Sequence, residues 1–290
     1  MPFAASELII TPAGGVYHLN LLPEQLAPTI FLVGDPDRVP QVSRHFDAIW
    51  YRVQHREFIT HTGELNGQAV SVISTGIGTD NIDIVLNELD ALVNIDLISR
   101  EPKEQLQTLR LVRLGTSGAL QADIPVDSLV CSTHGLGIDG LMPFYKTTKS
   151  AEELGMENAF KAFLPEIAAC AHPYVFGGSK SLLQQIAGND LVSGITLTCP
   201  GFYAPQGRTL RYEPVMEQLP LKVSGFNYPP YRVTNFEMET SGIYGLARLL
   251  GHEALSVNAI IANRVKGEFS LHAQKTIERL ISTVLERLLA

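Results

Sequence analysis

Two arginines occupy positions where a protein could bind an anion. Arg38 follows the Gly34-Asp35-Pro36 turn and lies just inside a predicted helix start, where free backbone N–H groups already favour negative charge. Arg113 is the next-to-last residue of a predicted apolar strand, two residues before Gly115-Thr116, and a guanidinium buried there needs an anionic partner. A surface ion pair would explain either arginine alone. Two of them, each beside a glycine turn, favour a phosphate site.

A second group of side chains could recognise the edge of a planar heterocycle. Gln206 and Arg208 are separated by one residue and follow the aromatic pair Phe202-Tyr203. An amide and a guanidinium offer the hydrogen-bonding groups that such an edge requires, although a solvated loop fits these residues equally well. Glu237 and Glu239 open a predicted helix, where two carboxylates are ordinary compensation of the helix dipole.

Other chemistries find little support in the sequence. Gly76-Ile77-Gly78 precedes a predicted helix, but Asn81 stands where a dinucleotide-binding motif has its third glycine, so a structural turn is the preferred interpretation. The sequence contains neither a P-loop motif nor the G-x-S-x-G elbow of a serine hydrolase. None of the eight histidines has the spacing of a metal-binding motif, and we expect no metal site of that kind.

The composition indicates a folded protein that binds small molecules rather than polyanions. Of the 290 residues, 45% are hydrophobic, which is ample for a buried core. Lys and Arg total 22 against 30 Asp and Glu, a formal charge of −8. This acidic balance argues against nucleic-acid or anionic-membrane partners, for which a basic face would supply the affinity.

The expected location is the cytoplasm. The first residues lack the pattern of a signal peptide, and no apolar run approaches the roughly 18–20 residues that span a bilayer. Three widely spaced cysteines form neither a disulfide framework nor a zinc motif. We therefore expect reduced thiols.

Apolar runs with β character alternate with amphipathic helical stretches. This alternation predicts a layered α/β fold with a largely buried sheet. No composition shift marks a boundary, so we predict a single domain over 1–290; elements within 137–190 are left unassigned. The predicted strands are 29–33, 69–74, 109–114, 128–133, 194–198 and 254–262, and the predicted helices are 37–46, 80–93, 239–250 and 272–289.

Several short segments, each weakly informative, occur in an order that resembles the nucleoside phosphorylase-I family, and within it the members that act on uridine. The resemblance covers about residues 16–267. It implies a single-domain, three-layer α/β/α fold with a central mixed, partly barrel-like sheet. The segments are Tyr17-His18-Leu19, Val33-Gly34-Asp35-Pro36-Asp37-Arg38-Val39, His55-Arg56-Glu57-Phe58, Ser74-Thr75-Gly76-Ile77-Gly78, Arg113-Leu114-Gly115-Thr116-Ser117-Gly118, Phe202-Tyr203 with Gln206 and Arg208, Asn235-Phe236-Glu237-Met238-Glu239 and Asn263-Arg264.

The resemblance implies a pentosyltransferase that cleaves uridine with phosphate, giving uracil and ribose 1-phosphate. The implied catalytic residues are Arg113, Gln206, Arg208, Glu239 and Arg264. The implied phosphate site comprises Gly34, Arg38, Arg113, Thr116 and, from a neighbouring subunit, Arg56. The implied ribose contacts are His18, again across an interface, with Met238 and Glu239. The implied base contacts are Phe202, Gln206 and Arg208, with Arg264 near O4 through water.

The same resemblance implies a homo-oligomer, dimer or hexamer, with sites shared between subunits. Inorganic phosphate is then a co-substrate, and no cofactor is expected. Glu57 and Ser74 match positions that hold a monovalent cation such as K⁺ in some members, which makes a structural ion there a further expectation. Some members carry an Asp near the position of Asn263 for a purine base; Asn263-Arg264 favours a pyrimidine.

Four alternatives remain open. A phosphorylase of another nucleoside, such as a purine nucleoside, deoxyuridine or thymidine, is the nearest. A nucleosidase, in which water replaces phosphate, would not need Arg38 and Arg113. A non-catalytic nucleoside-binding protein would require a loss at Arg113, Gln206 or Glu239, and none is seen. A dinucleotide-dependent reductase is the most distant.

Overall fold

A mixed sheet of twelve strands runs through the computed structural model, which describes residues 2–289. Two further short strands, Ile95–Asp96 and Glu101–Pro102, pair with each other. The strands are β1 Thr29–Val33, β2 Ala48–His55, β3 Phe58–Leu65, β4 Gln68–Ser74, β5 Ile95–Asp96, β6 Glu101–Pro102, β7 Arg110–Ala119, β8 Leu129–Gly137, β9 Tyr174–Gly177, β10 Leu191–Thr198, β11 Asn227–Tyr228, β12 Tyr231–Glu237, β13 Glu253–Asn263 and β14 Glu268–Phe269.

Five of these strands close into a barrel. β7 pairs with β13, β13 with β8, β8 with β10, and β10 with β12. The ring is completed where β12 returns to β7, with Asn235 opposite Ala119 and Phe236 opposite Gly118. From β7 the sheet continues through β1, β4 and β3 to β2 as an open wing. The partly barrel-like mixed sheet predicted from the sequence is therefore confirmed.

Helices cover both faces of the wing. The α-helices are α1 Arg38–Ser43, α2 Thr79–Asn94, α3 Ala151–Phe163, α4 Pro165–Cys170, α5 Lys180–Ile186, α6 Leu219–Ser224, α7 Thr240–Leu250 and α8 Ala273–Leu289. Short 3-10 turns lie at Pro23–Gln25, Met142–Phe144 and Ala204–Gln206.

The alternation of side chains along β1 shows how the layers form. Phe31 and Val33 pack into a cluster with apolar residues of α1, α5 and α8. Ile30 and Leu32 point the other way and pack with α2 and α7. Successive strand residues face opposite sides of a sheet, and each buried side chain of this kind contributes about 1.5–3 kcal/mol. Burial on both faces explains why β1 is apolar throughout and confirms the three-layer prediction.

The structure corrects the predicted end of β7. The segment Gly115–Gly118, expected to be a turn, continues the strand and pairs with β13 and β12. Arg113 is consequently a mid-strand residue rather than one at a strand end. Glycine is unfavourable in strands because it has no side chain to pack, so the two glycines of this segment suggested a turn. At Gly115 the absence of a side chain leaves room for the Arg113 guanidinium.

The segments without a sequence assignment contain regular structure as well. The 137–190 region forms α3, α4, β9 and α5. Ser150 caps α3 through its side chain and a reciprocal hydrogen bond with Glu153, as in the S-x-x-E pattern. β2 and β3 form a hairpin whose first strand is largely exposed, so it carries little hydrophobic pattern. Between residues 2 and 289, every helix is too short or too polar to cross a membrane.

Candidate active site

A cavity of ≈ 720 Å³ opens where the barrel meets the wing. Its walls come from the loops after β1 and β4, from β7 and β12, and from the 3-10 turn at Ala204–Gln206. Of the residues that the sequence singled out, it is lined by Gly34, Arg38, Glu57, Arg113, Thr116, Phe202, Gln206, Arg208, Met238 and Glu239.

Two buried guanidiniums mark one end of the cavity. Arg38, at the first turn of α1, is 7% exposed, and its Nη1 donates to the carbonyl of Leu114 at 3.2 Å. Burial, and then the positive charge of Arg113, lower the pKa of Arg38. Both causes reflect the free energy of holding two cations together out of water. An anion bound between them would lower that free energy.

Arg113 is held by a three-sided set of acceptors. Its Nη1 donates to Asn258 Oδ1 at 2.6 Å, and its Nη2 donates to the Glu239 carboxylate and lies 3.3 Å from Glu237 Oε2. Burial alone would lower the pKa of Arg113, but Glu239 and Glu237 reverse the effect and raise it. The guanidinium is therefore a fixed cation whose orientation the neighbouring acceptors determine.

Gly115 makes this arrangement sterically possible. A Cβ there would overlap the Arg113 guanidinium and lie 2.5 Å from Asn258 Oδ1. The side chain of Arg113 thus folds along β7 through space that only glycine leaves open.

Two carboxylates lie at the start of α7. Glu237 accepts from the Thr198 hydroxyl at 2.8 Å and from the backbone N–H groups of Glu239 and Thr240. Burial, followed by the Glu239 charge, raises the pKa of Glu237 to about 7, against the opposing effect of Arg113. Glu239 accepts from the backbone N–H of Gly78 at 2.8 Å. The Gly76-Ile77-Gly78 turn therefore serves to hold a carboxylate, by way of a positive-φ glycine that opens α2.

A stacked pair forms the other end of the cavity. The guanidinium of Arg208 lies over the Phe202 ring, 3.6 Å from its centroid. Its Nη1 donates to Gln206 Oε1 at 2.7 Å and to the Phe202 carbonyl at 2.5 Å. Burial, then the charge of Arg264, lower the pKa of Arg208 to about 10, which leaves it charged at neutral pH. This hydrogen bond from Arg208 to Oε1 fixes the orientation of the Gln206 amide.

Arg264 lies beside this end of the cavity rather than in its wall. Its Nη1 donates to the backbone carbonyl of Gln206 at 3.3 Å, and its guanidinium lies 5.5 Å from the centroid of Phe236. Phe236 itself lines the cavity. Arg264 is thus one contact removed from the space that a ligand would occupy.

His18 and Arg56 lie outside the cavity wall, in a cluster near the tip of the β2–β3 hairpin. His18 Nδ1 is 2.6 Å from Glu88 Oε1, and His55 Nδ1 donates to the backbone carbonyl of His18 at 2.8 Å. Arg56 adopts φ +54° at the hairpin turn and lies 5.3 Å from the ring centroid of Tyr17. Within this chain the structure does not bring these residues to the cavity.

The two residues of the expected cation site are neighbours. The Ser74 hydroxyl donates to the Glu57 carbonyl at 2.8 Å and accepts from the backbone N–H of Ile59 at 2.7 Å. Among residues 2–289, no cluster of three or more His, Cys, Asp or Glu could hold a metal ion. A monovalent ion at Glu57 and Ser74 stays a prediction.

Several wall or supporting residues were not assigned from the sequence. Phe236 and Glu237 stand inside a recognised segment, so their place next to Met238 and Glu239 could have identified them. Asn258 offered no such signal, because it lies in a largely buried strand 145 residues from Arg113. The remaining unassigned wall residues with side chains are Asp35, Pro36, Ile77, Asn81, Ser117, Ile261, Ala262 and Phe269.

The cavity therefore combines two chemically different ends. One offers buried cations for an anion, with a carboxylate that can accept hydrogen bonds from hydroxyl groups. The other offers a fixed amide and a guanidinium beside an aromatic ring, which suits a planar polar ring. A ligand with an anion, a polyol and a heterocycle in that order would satisfy all of them.

Comparison with known proteins gives the same assignment. Residues 28–290 match the sequence model of the phosphorylase superfamily. The chain is 29% identical to the uridine phosphorylase of Thermococcus kodakarensis over 284 residues, which covers 94% of this chain and 86% of that protein. It is 27% identical to the uridine phosphorylase of Haemophilus influenzae, covering 93% of this chain and 96% of that one.

A solved structure is similar over almost its whole length. This is the Trypanosoma brucei nucleoside phosphorylase, described as showing uridine phosphorylase activity, with a TM-score of 0.86 and 28% identity. The likeness covers 96% of this chain and 99% of that one.

Proposed function

Because this chain belongs to the phosphorylase superfamily, we propose that it catalyses the phosphate-dependent cleavage of uridine to uracil and ribose 1-phosphate. The similarity to uridine phosphorylases over more than nine-tenths of the chain supports this activity. The observation that carries the proposal is the pair of buried guanidiniums of Arg38 and Arg113 at one end of a cavity whose other end holds Gln206 and Arg208.

Phosphate acts as the nucleophile. It binds as a dianion, since guanidiniums and a hydroxyl match the charge and geometry of its oxygens. The residues that bind it are Gly34, Arg38, Arg113 and Thr116. A phosphate oxygen attacks C1′ while the bond from C1′ to N1 of uracil breaks, and no protein base is needed. The oxocarbenium-like sugar lies between the dianion and the departing base, so correct positioning supplies much of the rate.

The sugar is held by Met238 and Glu239. The Glu239 carboxylate already accepts from Arg113 and from the Gly78 N–H, which fixes its remaining acceptor positions toward the cavity. Hydrogen bonds from the 2′- and 3′-hydroxyls to this carboxylate orient the ribose between the two ends.

The leaving base is stabilised by Gln206 and Arg208. Uracil departs with negative charge on N1, O2 and O4, and donors aimed at those oxygens bind the transition state more tightly than the ground state. Phe202 stacks against the ring, and Arg264 acts near O4 through water. The stacking of Arg208 on Phe202 and its hydrogen bond to Gln206 support this arrangement, because they order the donors before the substrate arrives.

The site is completed by a second subunit. His18 and Arg56 of the neighbouring chain reach the 5′-hydroxyl and the phosphate in this proposal, within a dimer or a hexamer. Support comes from their position in one cluster outside the wall of their own cavity, in which Arg56 is exposed and His18 is half-buried. No cofactor takes part, phosphate being a co-substrate. The three free thiols are consistent with action in the cytoplasm.

The residues of the cavity argue against a nucleosidase. Water as a nucleophile gives no reason to place Arg38 and Arg113 together, 7% and 6% exposed, at the end of the cavity. A phosphorylase of another nucleoside shares the phosphate end and differs only in the base it accepts.

One assay tests the proposal against these alternatives. Release of free base is followed for uridine, deoxyuridine, thymidine, cytidine, inosine and adenosine, each with and without phosphate. We expect uridine to be cleaved fastest and only when phosphate is present. Cleavage without phosphate would establish a nucleosidase, and faster cleavage of a purine nucleoside would overturn the choice of base.

A further inference from the structure

The interior of the barrel contains a continuous row of polar side chains. Each of the five barrel strands contributes one member, and four of the five are fully buried, while Ser117 is 6% exposed and lines the cavity. The row consists of Asn258 from β13, Ser132 from β8, Thr196 from β10, Asn235 from β12 and Ser117 from β7.

Hydrogen bonds connect the row around the barrel, from Arg113 to Ser117 on the same strand. Arg113 Nη1 donates to Asn258 Oδ1 at 2.6 Å, and Asn258 Nδ2 lies 3.3 Å from Ser132 Oγ. Ser132 Oγ is 2.6 Å from Thr196 Oγ1. Thr196 Oγ1 is then 2.9 Å from Asn235 Oδ1, and Asn235 Nδ2 is 2.9 Å from Ser117 Oγ. The row begins at Arg113 and ends at Ser117, both of which line the cavity.

The charge of Arg113 gives the row a direction. A guanidinium only donates, so it fixes Oδ1 of Asn258 toward itself and turns Nδ2 toward Ser132. Ser132 accepts from that amide, and its own hydrogen points to Thr196. Thr196 in turn donates to Asn235 Oδ1, which the Thr234 hydroxyl also approaches at 2.9 Å. Nδ2 of Asn235 is left to donate to Ser117. Ser117 accepts this bond, so its hydroxyl hydrogen is left to point into the cavity.

We propose that this one-way row of hydrogen bonds positions two groups at once, the Arg113 guanidinium and the Ser117 hydroxyl, which it sets as a donor to the bound nucleoside. The inference rests on the proposed function only in the identity of that ligand. Asn258, Ser132, Thr196 and Asn235 are positioning residues, since none of them lines the cavity.

The free energy needed to bury polar side chains supports a specific role for the row. Each buried polar group left without a partner costs about 1–3 kcal/mol, so an apolar barrel interior would be simpler to stabilise. A fully connected polar network instead favours one arrangement of its members over others. Gly115 lies opposite Asn258 in the register of β7 and β13, and its missing Cβ admits the first hydrogen bond of the row.

A double-mutant cycle tests the far end of the row. Ser117→Ala removes the donor, and Thr196→Val removes the hydroxyl that orients it while nearly preserving shape. We expect each to raise the KM for the nucleoside roughly three- to tenfold, the equivalent of one hydrogen bond, with little change in the KM for phosphate. The double variant should be no worse than Ser117→Ala alone, and Thr196→Ser should restore the wild-type KM.

A matched control separates positioning from loss of a buried hydroxyl. Thr62 is a buried threonine on β3, outside the barrel, that donates to the Gln25 carbonyl and lies 2.6 Å from Ser71 Oγ. Thr62→Val should lower thermal stability and leave both KM values unchanged. Additive effects of Ser117→Ala and Thr196→Val, or a similar KM change in Thr62→Val, would overturn the proposal.

The near end of the row is tested without turnover. Inorganic phosphate is titrated calorimetrically into wild type, Asn258→Leu and Thr196→Val. Asn258→Leu should weaken phosphate binding roughly tenfold, since Arg113 loses a charge-assisted bond, whereas Thr196→Val should bind as wild type does. Unchanged binding in Asn258→Leu would overturn the role at Arg113. Because the cycle uses whichever nucleoside wild type cleaves, failure with uridine alone would count against the proposed substrate and not against the row.

Discussion

The position of Arg113 depends on a side chain that is missing two residues further along the same strand. Gly115 leaves the space through which the guanidinium reaches Asn258 and Glu239. The strand continues through this glycine because β13 pairs with it, Asn258 lying opposite Gly115. A residue that looks like a turn former is thus a requirement of the anion site.

Gly115→Ala should therefore weaken phosphate binding more than it weakens the fold. The added methyl group displaces the Arg113 guanidinium from its acceptors, and losing charge-assisted hydrogen bonds corresponds to roughly a ten- to hundredfold rise in the phosphate Kd. Calorimetric titration with phosphate measures it. Gly177→Ala is the control, since a Cβ there meets only ordinary contacts at 3.5 Å or more. Equal phosphate binding in both variants would contradict this account of Gly115.

Arg208 belongs to the base end alone, and its removal should show that separation. Arg208→Ala removes a donor to the leaving uracil and the hydrogen bond that fixes Gln206. We expect kcat on uridine to fall about 10²–10³-fold, with phosphate affinity nearly unchanged.

Steady-state rates and phosphate calorimetry check the separation together. Arg211→Ala is the matched control, because Arg211 is exposed and contacts Tyr212 outside the cavity. A large loss of phosphate affinity in Arg208→Ala would show that the base and phosphate ends have been assigned wrongly.

At the level of whole elements, one buried carboxylate connects three of them. Glu153 of α3 accepts from the Gly177 N–H of β9 at 2.8 Å and from Arg248 of α7 at 2.6 Å. It also accepts from Ser150 at the start of its own helix. Burial would raise the pKa of Glu153, but the hydrogen bonds from Gly177, Ser150 and Arg248 prevail and lower it. The segment 137–190 is thereby attached to α7, the helix that opens with Glu239.

Glu153→Gln should destabilise the protein in a pH-dependent way. A carboxyl whose folded pKa lies below its unfolded value, about 4.3, stabilises the fold above that pH and loses the contribution as pH falls through the folded pKa. We expect the variant to be less stable by about 1–3 kcal/mol at pH 7, with the difference narrowing below about pH 4.

Urea unfolding at a series of pH values measures this difference. Glu152→Gln is the control, since the neighbouring side chain is 48% exposed and a surface change of this kind stays within about 0.5 kcal/mol. A gap that stays as large at about pH 3 as at pH 7 would contradict the assigned role of the Glu153 charge.

At the scale of the whole molecule, the barrel and the wing each contribute residues to the site. The barrel holds Arg113, Thr116 and the start of α7, and the wing contributes Gly34 and Arg38 through the loop after β1. The far edge of the wing carries the β2–β3 hairpin with Arg56 at its turn. Of the two residues at that turn, Glu57 lines the cavity of its own chain and Arg56 does not. The proposed site therefore takes Arg56 and His18 from a second subunit.

Mixed oligomers should recover activity if sites are shared. A His18→Ala chain and an Arg113→Ala chain are each expected to be nearly inactive by themselves. In a two-fold pair of one of each, one site receives both native side chains and the other receives neither. Half of the sites in the mixed pair are therefore complete, so the purified mixed pair should show roughly half of wild-type activity.

Co-expression of the two chains with different tags, followed by purification of the mixed species, provides the measurement. The inactive control combines the His18→Ala chain with a chain that carries both His18→Ala and Arg113→Ala, so that neither chain has a native His18. No recovery in the mixed species would show that each site is built within a single chain.

The local pattern of the sequence determined much of this protein. The apolar run of β1 and the periodic spacing in α2, α7 and α8 predicted those elements, because their burial depends on neighbours that are near in sequence. Gln206 and Arg208 were identified together for the same reason, since two residues of separation already place them in contact. The ordered segments also predicted the family, which the match over residues 28–290 confirms.

Only the tertiary structure decided how distant strands combine. Nothing in β12 or β7 alone indicates that Phe236 will lie opposite Gly118 and close a barrel, and nothing in β13 indicates that Asn258 will accept from Arg113. Such contacts depend on the mutual fit of segments more than a hundred residues apart. The hydrophobic periodicity of a single segment therefore does not predict them. The same holds for Gly115, whose composition suggests a turn until the side chain that fills its space is known.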